Sequence, residues 1–130
     1  MLRLGTLAVA AAAAVSASGC GGTARYTVAA TRECLREQPG LRVRRAPTDD
    51  FIASTALGGA MNVRFPDNQV TLTFGDDADE AFRLAQAYRR FRGPNIGIES
   101  ALEEVKNVVL LWGITPAPGY RQTIHDCLKG

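Results

Sequence analysis

Histidine, tryptophan and cysteine are scarce in this chain, and their scarcity excludes several kinds of site. The 130 residues include one histidine, one tryptophan and three cysteines. The single histidine, His125, cannot supply a histidine-rich metal site. The chain also has no C-x-x-C, H-E-x-x-H or G-x-S-x-G motif and no glycine-rich phosphate loop. We therefore expect no metal, no cofactor and no catalytic residue of these types.

The chain also lacks a large net charge of either sign. The chain has 15 basic and 13 acidic side chains, for a net charge of +2. Arg3 is the one charged residue among the first nineteen, so the remainder keeps 14 basic and 13 acidic side chains. A nucleic-acid-binding domain is normally strongly basic. We therefore expect no nucleic acid among the partners.

The first nineteen residues differ in composition from the rest of the chain. Arg3 is followed by the uncharged run GTLAVAAAAAV and then by small residues, which is typical of a secretory signal peptide. The run is shorter than the ~20 apolar residues that a membrane-spanning helix needs. Cleavage after Ala17 would release a secreted protein. Alternatively, Ala17-Ser18-Gly19-Cys20 resembles the lipobox of small bacterial lipoproteins, with alanine where leucine is usual.

The lipoprotein resemblance implies that Cys20 carries a lipid such as palmitate and anchors the chain to the cell membrane on its extracytoplasmic side. Cysteine parity favours this outcome, because three thiols in an oxidising compartment would leave one unpaired. With Cys20 lipidated, Cys34 and Cys127 can form a disulfide, and two buried free thiols are the alternative. We expect a signal peptide over 1–19, a tether over 20–25 and a single α+β domain over 26–130.

The order of helix and strand patterns predicts the fold class. Helical patterns cover 26–38, 49–57, 77–92 and 115–128, and strand patterns cover 41–45, 61–65, 70–74 and 107–114. The strands at 61–65 and 70–74 flank the turn residues Pro66-Asp67-Asn68 and predict a β-hairpin. Ser100 and Glu103 match a capping box and predict one further helical turn. This order predicts a ferredoxin-like β-α-β-β-α-β sandwich with an extra N-terminal and C-terminal helix. If 49–57 is a loop, the alternative is an antiparallel meander sheet plus helices.

The strand at 107–114 is apolar on both faces, which raises a packing question. A ferredoxin-like fold places its last strand at a sheet edge, where an apolar strand invites pairing with another chain. The terminal helices could cover that side, copies of the chain could associate there, or the strand order could differ. Trp112 in this strand is assigned to the core.

Three arginines supply the one candidate contact surface. Arg42, Arg44 and Arg64 point away from the apolar sides of their strands. In one sheet they would form a basic patch beside Thr71 and Thr73, suited to anionic envelope polymers or lipid headgroups. A solvated sheet face is the alternative.

Two other polar features are given structural roles. His125 is expected to be solvated or to cap a helix end, because a residue two positions from Cys127 points to a different side of a helix. The acidic run 76–80 suits the start of a helix and lacks the spacing of a calcium loop.

Three functions stay open at this point. The leading hypothesis is a non-catalytic, lipid-anchored envelope protein that binds an anionic polymer or a protein partner. The second is an enzyme or accessory subunit whose site is assembled from scattered carboxylates and arginines, which a deep pocket lined by two or more titratable groups with perturbed pKa values would favour. The third is a structural protein that self-associates through Val109 and Leu111. The sequence does not predict the oligomeric state.

Overall fold

The computed structural model describes residues 25–92 and 97–130, so the predicted signal peptide and Cys20 lie outside the described residues. The described chain is α+β, with helices on both faces of one five-stranded sheet. The helices are α1 (Val28–Arg36), α2 (Phe51–Thr55), α3 (Ala78–Arg92) and α4 (Pro118–Cys127), with a short 3-10 helix at Ile98–Ser100. The strands are β1 (Arg42–Arg45), β2 (Ala60–Arg64), β3 (Gln69–Phe74), β4 (Leu102–Val105) and β5 (Val108–Trp112).

The sheet has the order β1-β2-β3-β5-β4, and every neighbouring pair is antiparallel. The ferredoxin-like arrangement is not confirmed, because its first two strands would have to run parallel. A parallel pair needs a long crossover, whereas the connection from β1 to β2 holds only the five-residue α2. The first three strands therefore form a meander, as in the alternative prediction.

The predicted helical turn beginning at Ser100 is wrong. The 3-10 helix ends at Ser100, and β4 begins two residues later. Glu103 pairs with Leu110 across the β4–β5 hairpin. Lys106 closes that hairpin with a φ of 52°, in the left-handed region. The predicted hairpin between β2 and β3 is confirmed, with Val63 opposite Val70.

The strand order explains how the apolar strand β5 is covered on both edges. β4 pairs with the outer edge of β5, so β5 is an interior strand. Val109 and Leu111 are 0% and 4% exposed. They do not offer the surface on which the self-association hypothesis depended.

The sheet separates two apolar layers. On its first face, Met61, Leu72 and Leu110 pack with Leu35 of α1 and Ile124 of α4. Trp112 belongs to this layer, as predicted. The disulfide expected between Cys34 and Cys127 is present, with the two Sγ atoms 2.06 Å apart, and it joins α1 to α4.

The second face lies under α2 and α3. Val109 and Leu111 of β5 pack there against Leu84 and Tyr88 of α3 and Ile52 of α2. In the part of the chain that the structure describes, no helix is both long enough and apolar enough to span a bilayer. The second face carries a cavity of about 640 Å³.

Candidate functional site

A cleft of about 640 Å³ opens on the second face of the sheet, between α2 and α3. We call it the α2–α3 cleft. This volume lies within the ~300–1,000 Å³ typical of small-molecule sites. Its lining includes Asp49 before α2, Phe51 at the start of α2, Tyr88 and Phe91 of α3, and Thr71 and Leu111 of the sheet.

The shortness of α2 explains why a cleft forms here. Asp50 is the N-cap of α2, and its Oδ1 accepts a hydrogen bond from the backbone N–H of Ala53 at 2.8 Å. A helix of five residues is only about 7.5 Å long, so it covers less of the sheet than the fifteen-residue α3 does. The N-terminal end of α2 and the segment before it therefore become one wall of the cleft.

Two phenylalanines on opposite sides of the cleft are exposed. Phe51 at the start of α2 is 72% exposed, and Phe91 near the end of α3 is 73% exposed. Large apolar side chains this exposed on a concave surface are available to the apolar part of a ligand. The aromatic rim is therefore the feature of the cleft that points most directly to binding.

A hydrogen-bonded chain fixes the inner wall of the cleft. The Tyr88 hydroxyl donates to Oδ2 of Asp50 at 2.9 Å, and the Thr73 hydroxyl lies 3.1 Å from the same tyrosine oxygen. Tyr88 and Thr73 are both buried. The chain connects α2, α3 and β3, so it holds the two walls of the cleft at a fixed separation.

The sheet register places the predicted arginines on the same face as the cleft. Arg42 lies opposite Arg64, and Arg64 lies opposite Gln69, which lines the cleft. Arg44 lies opposite Asn62 in the next row. All three arginine side chains are exposed, and among the described residues no carboxylate forms an ion pair with any of them. Their contact with an anion stays a prediction.

A smaller hollow of about 370 Å³ adjoins the cleft. It shares Gln69 and Gly113 with the cleft, and it is lined further by Arg64, Asp67 and Ile114. Arg64 is therefore next to the cleft but does not line it. The charged side chains that line the cleft within the described residues are Asp49 and Asp50.

His125 has a partner that the sequence did not predict. It lies in the last turn of α4, as expected, but its Nε2 is also 3.2 Å from Oε1 of Glu103. The same oxygen accepts a hydrogen bond from Nε of Arg121 at 2.7 Å. This group lies on the first face, across the sheet from the cleft. Cys127 is in the disulfide, so it is not available to His125 as a nucleophile.

The acidic run before α3 has the expected capping role. Asp77 accepts a hydrogen bond from the backbone N–H of Glu80 at 2.7 Å. Glu80 in turn accepts from the backbone N–H groups of Asp76 and Leu57. Within residues 25–92 and 97–130, no group of three or more His, Cys, Asp or Glu side chains is arranged to hold a metal ion.

The shifted pKa values of Tyr120 and Arg89 concern side chains outside the cleft. The hydrogen bond from the Tyr120 hydroxyl to Asp67 is the main cause that raises the pKa of Tyr120. The hydrogen bond from Arg89 to Glu99 raises the pKa of Arg89, and this pair fastens α3 to the 3-10 helix.

The N-terminal segment joins the fold at the end of the sheet away from the cleft. The backbone of Tyr26 is hydrogen-bonded to Asn107, whose Nδ2 also donates to the carbonyl of Gly75. Gly75 follows the last residue of β3, whereas Gln69, at the cleft, is the first. A six-residue strand spans about 17 Å, and this length separates the two ends.

Comparison of the chain with protein-family models, with curated proteins and with solved structures finds no match. Because a fold alone does not determine function, the function is inferred below from the chemistry of the cleft.

Proposed function

We propose that this chain is a lipid-anchored envelope protein whose domain binds, without catalysis, a ligand that places an apolar group in the α2–α3 cleft. The observation that carries the proposal is the exposed pair Phe51 and Phe91 on opposite sides of a cavity of about 640 Å³. Apolar walls with a few polar groups are typical of sites that bind small molecules.

The proposed anchor is lipid on Cys20, after removal of residues 1–19. Between Cys20 and Arg25 the tether is short, and five residues extend to at most about 18 Å. Because the chain joins the fold at the far end of β3 from Gln69, an anchored domain would hold its cleft away from the bilayer. The ligand would then approach from the extracytoplasmic side.

The basic patch of Arg42, Arg44 and Arg64 is proposed as a second contact, for an anionic envelope polymer. Arg42 and Arg64 are direct cross-strand neighbours, and like charges in that position destabilise a sheet. A bound anion would offset that repulsion. Arg42 and Arg64 lie in the same cross-strand row as Gln69, at the opposite end of the sheet from the N-terminal segment. The patch would therefore point away from the anchoring membrane, which favours a polymer over lipid headgroups as its ligand.

The enzyme alternative has one observation in its favour. Asp49, Asp50 and Tyr88 are titratable and line the cleft. However, Asp50 caps α2 while accepting the Tyr88 hydroxyl, so both groups already have structural partners. A binding site explains the cleft with fewer assumptions.

The proposal is tested with a neutral aromatic probe, 1-naphthylmethanol, on protein carrying Cys20→Ser so that no detergent is needed. We expect Phe51→Ser and Phe91→Ser each to weaken binding about five- to tenfold, since each removes about 1–1.5 kcal/mol of apolar contact. Phe82→Ser is the matched control, because Phe82 is an exposed phenylalanine of α3 that does not line the cleft. Equal weakening by all three variants, or no binding at all, would refute the proposal.

A further inference from the structure

We infer that the ligand of the α2–α3 cleft is an organic cation, an amine or ammonium group carried on an aromatic or other apolar body. The inference rests on the proposed function, because it requires that the cleft binds a ligand. The charges, the hydrogen bonds and the aromatic groups of the lining all favour a ligand of this class.

The charged side chains among the described residues of the lining are both acidic. Asp49 and Asp50 line the cleft, and among the described lining residues there is no lysine, arginine or histidine. Asp49 is exposed, and within the described chain its carboxylate has no hydrogen-bond or ion-pair partner. This carboxylate is therefore free to pair with a ligand.

Among the described residues, the second carboxylate also has no cationic partner. Asp50 accepts one hydrogen bond from the Ala53 backbone and one from the Tyr88 hydroxyl, and both donors are neutral. These bonds orient the carboxylate without cancelling its charge. The cleft consequently has a negative wall, fixed by the same bonds that cap α2.

The aromatic groups of the lining suit the same class of ligand. Phe51, Phe91 and Tyr88 contribute rings to the lining. The face of an aromatic ring attracts a cation, and aromatic side chains are a recurrent means of recognising organic ammonium groups. Rings together with two carboxylates match a ligand that is apolar over most of its surface and positive at one end.

An anion in the cleft is disfavoured by the same charges. Arg64 is the arginine adjacent to the cleft in the sheet register, but it lines the adjoining hollow with Asp67. An anion that reached Arg64 would occupy that hollow, whereas an anion in the cleft would face Asp49 and Asp50. The basic patch and the cleft therefore call for ligands of opposite charge.

The experiment compares three probes of nearly equal shape, 1-naphthylmethylamine, 1-naphthylmethanol and 1-naphthoate, on the detergent-free Cys20→Ser protein. Dissociation constants are measured by calorimetry, and the site is located from the amide NMR shifts of Thr71 and Gly113. We expect the amine to bind more tightly than the alcohol, and the carboxylate to bind most weakly. Added salt should weaken the amine alone, because it screens the charge pair.

The variant that tests the charge pair is Asp49→Asn. It should weaken amine binding about two- to fivefold, the range expected of an exposed ion pair, and weaken alcohol binding by a smaller factor, because the alcohol is uncharged. Asp126→Asn is the control, because Asp126 is an exposed carboxylate of α4 across the sheet from the cleft.

The outcomes separate the inference from the proposed function. If amine and alcohol bind equally, or if the carboxylate binds best, the cation inference is overturned while the Phe51 and Phe91 effects still support binding in the cleft. If none of the three probes binds, the proposed function fails as well. Loss of amine affinity in Asp126→Asn to the same extent as in Asp49→Asn would also overturn the inference.

Discussion

At the scale of single residues, the side chain of Asn107 makes three hydrogen bonds to the backbone of other segments. Its Nδ2 donates to the carbonyls of Tyr26 and Gly75, each at 2.9 Å, and its Oδ1 accepts from the N–H of Tyr26 at 2.8 Å. It is 2% exposed. Both donors and the acceptor of the amide are thus used to fasten the N-terminal segment to the sheet.

We predict that Asn107→Ala lowers the free energy of unfolding by about 2–3 kcal/mol, because it leaves buried backbone groups without partners. Urea unfolding measures the loss. Gln122→Ala is the control, since the Gln122 amide bonds only to the exposed Asp126 and such surface changes stay within about 0.5 kcal/mol. Equal stability of the two variants would contradict the role given to Asn107.

Tyr120 provides a prediction for alkaline pH. Its hydroxyl donates to Asp67 at 2.7 Å, and this bond is the main reason that its pKa lies above the ordinary value of 10.0. The phenol must be protonated to donate. The stabilisation by this bond is therefore complete below pH 10.0 and is lost as pH rises through the raised pKa of the folded state.

We expect Asp67→Asn to lower the pKa of Tyr120, because it removes the negative charge beside the phenol. Phenolate absorbance during an alkaline titration measures this change, and Tyr120→Phe identifies the signal among the three tyrosines. An unchanged titration in Asp67→Asn would show that this contact does not control the phenol.

The contact of His125 and the position of the three patch arginines differ in how far the sequence predicts them. The contact between His125 and Glu103 could not be predicted, because Glu103 was assigned to a helical turn. The alternation of apolar and polar residues along β1 and β2 did suffice to place Arg42, Arg44 and Arg64 on one face of the sheet. In every strand, side chains point to the two faces in turn, so the polar residues of neighbouring strands lie on the same face.

At the scale of elements, the disulfide between α1 and α4 is expected to be the largest single contribution to stability. Its cysteines are 93 residues apart, and closing a loop of that length stabilises a fold by about 4–5 kcal/mol in the chain-entropy description. We predict this loss for the Cys34→Ala, Cys127→Ala double variant. Thermal unfolding measures it, and reductant should destabilise the wild type but not the variant. A loss below about 1 kcal/mol would contradict the prediction.

Most elements could be predicted, and the exceptions are short. The hairpin of β2 and β3 has clear alternation on both sides of a Pro-Asp-Asn turn, and α3 has four turns of helical spacing. By contrast, Leu102-Glu103-Glu104-Val105 is too short to distinguish a strand from a capped helical turn. β4 forms a strand because its backbone pairs with the edge of β5. This pairing depends on the tertiary structure and not on the local sequence.

At the scale of the whole molecule, the cleft itself could not be predicted. Its lining comes from the segment before α2, from α3, and from β3 and β5. No local pattern brings Asp49 near Phe91, because their proximity depends on how α2 and α3 pack on the sheet. The sequence predicted a surface patch, and the packing of distant elements adds a cavity beside it.

The anchor is the prediction that concerns the whole molecule. We expect the exported protein to begin at Cys20, to carry the mass of attached lipid and to partition into a detergent phase. Cys20→Ser should move it to the aqueous phase, since the tether would have no acyl chain. Intact mass and phase partitioning measure both effects. An unmodified amino end with three reactive thiols would contradict the prediction.

The bond between Cys34 and Cys127 also determines what a protease can do to this protein. All five strands lie between the two cysteines, so this part of the chain is a covalent ring. A single cut anywhere in the ring opens it but releases no fragment, and the pieces separate only after reduction. A nicked copy would therefore migrate as one species on a non-reducing gel and would keep every strand attached to helix α1.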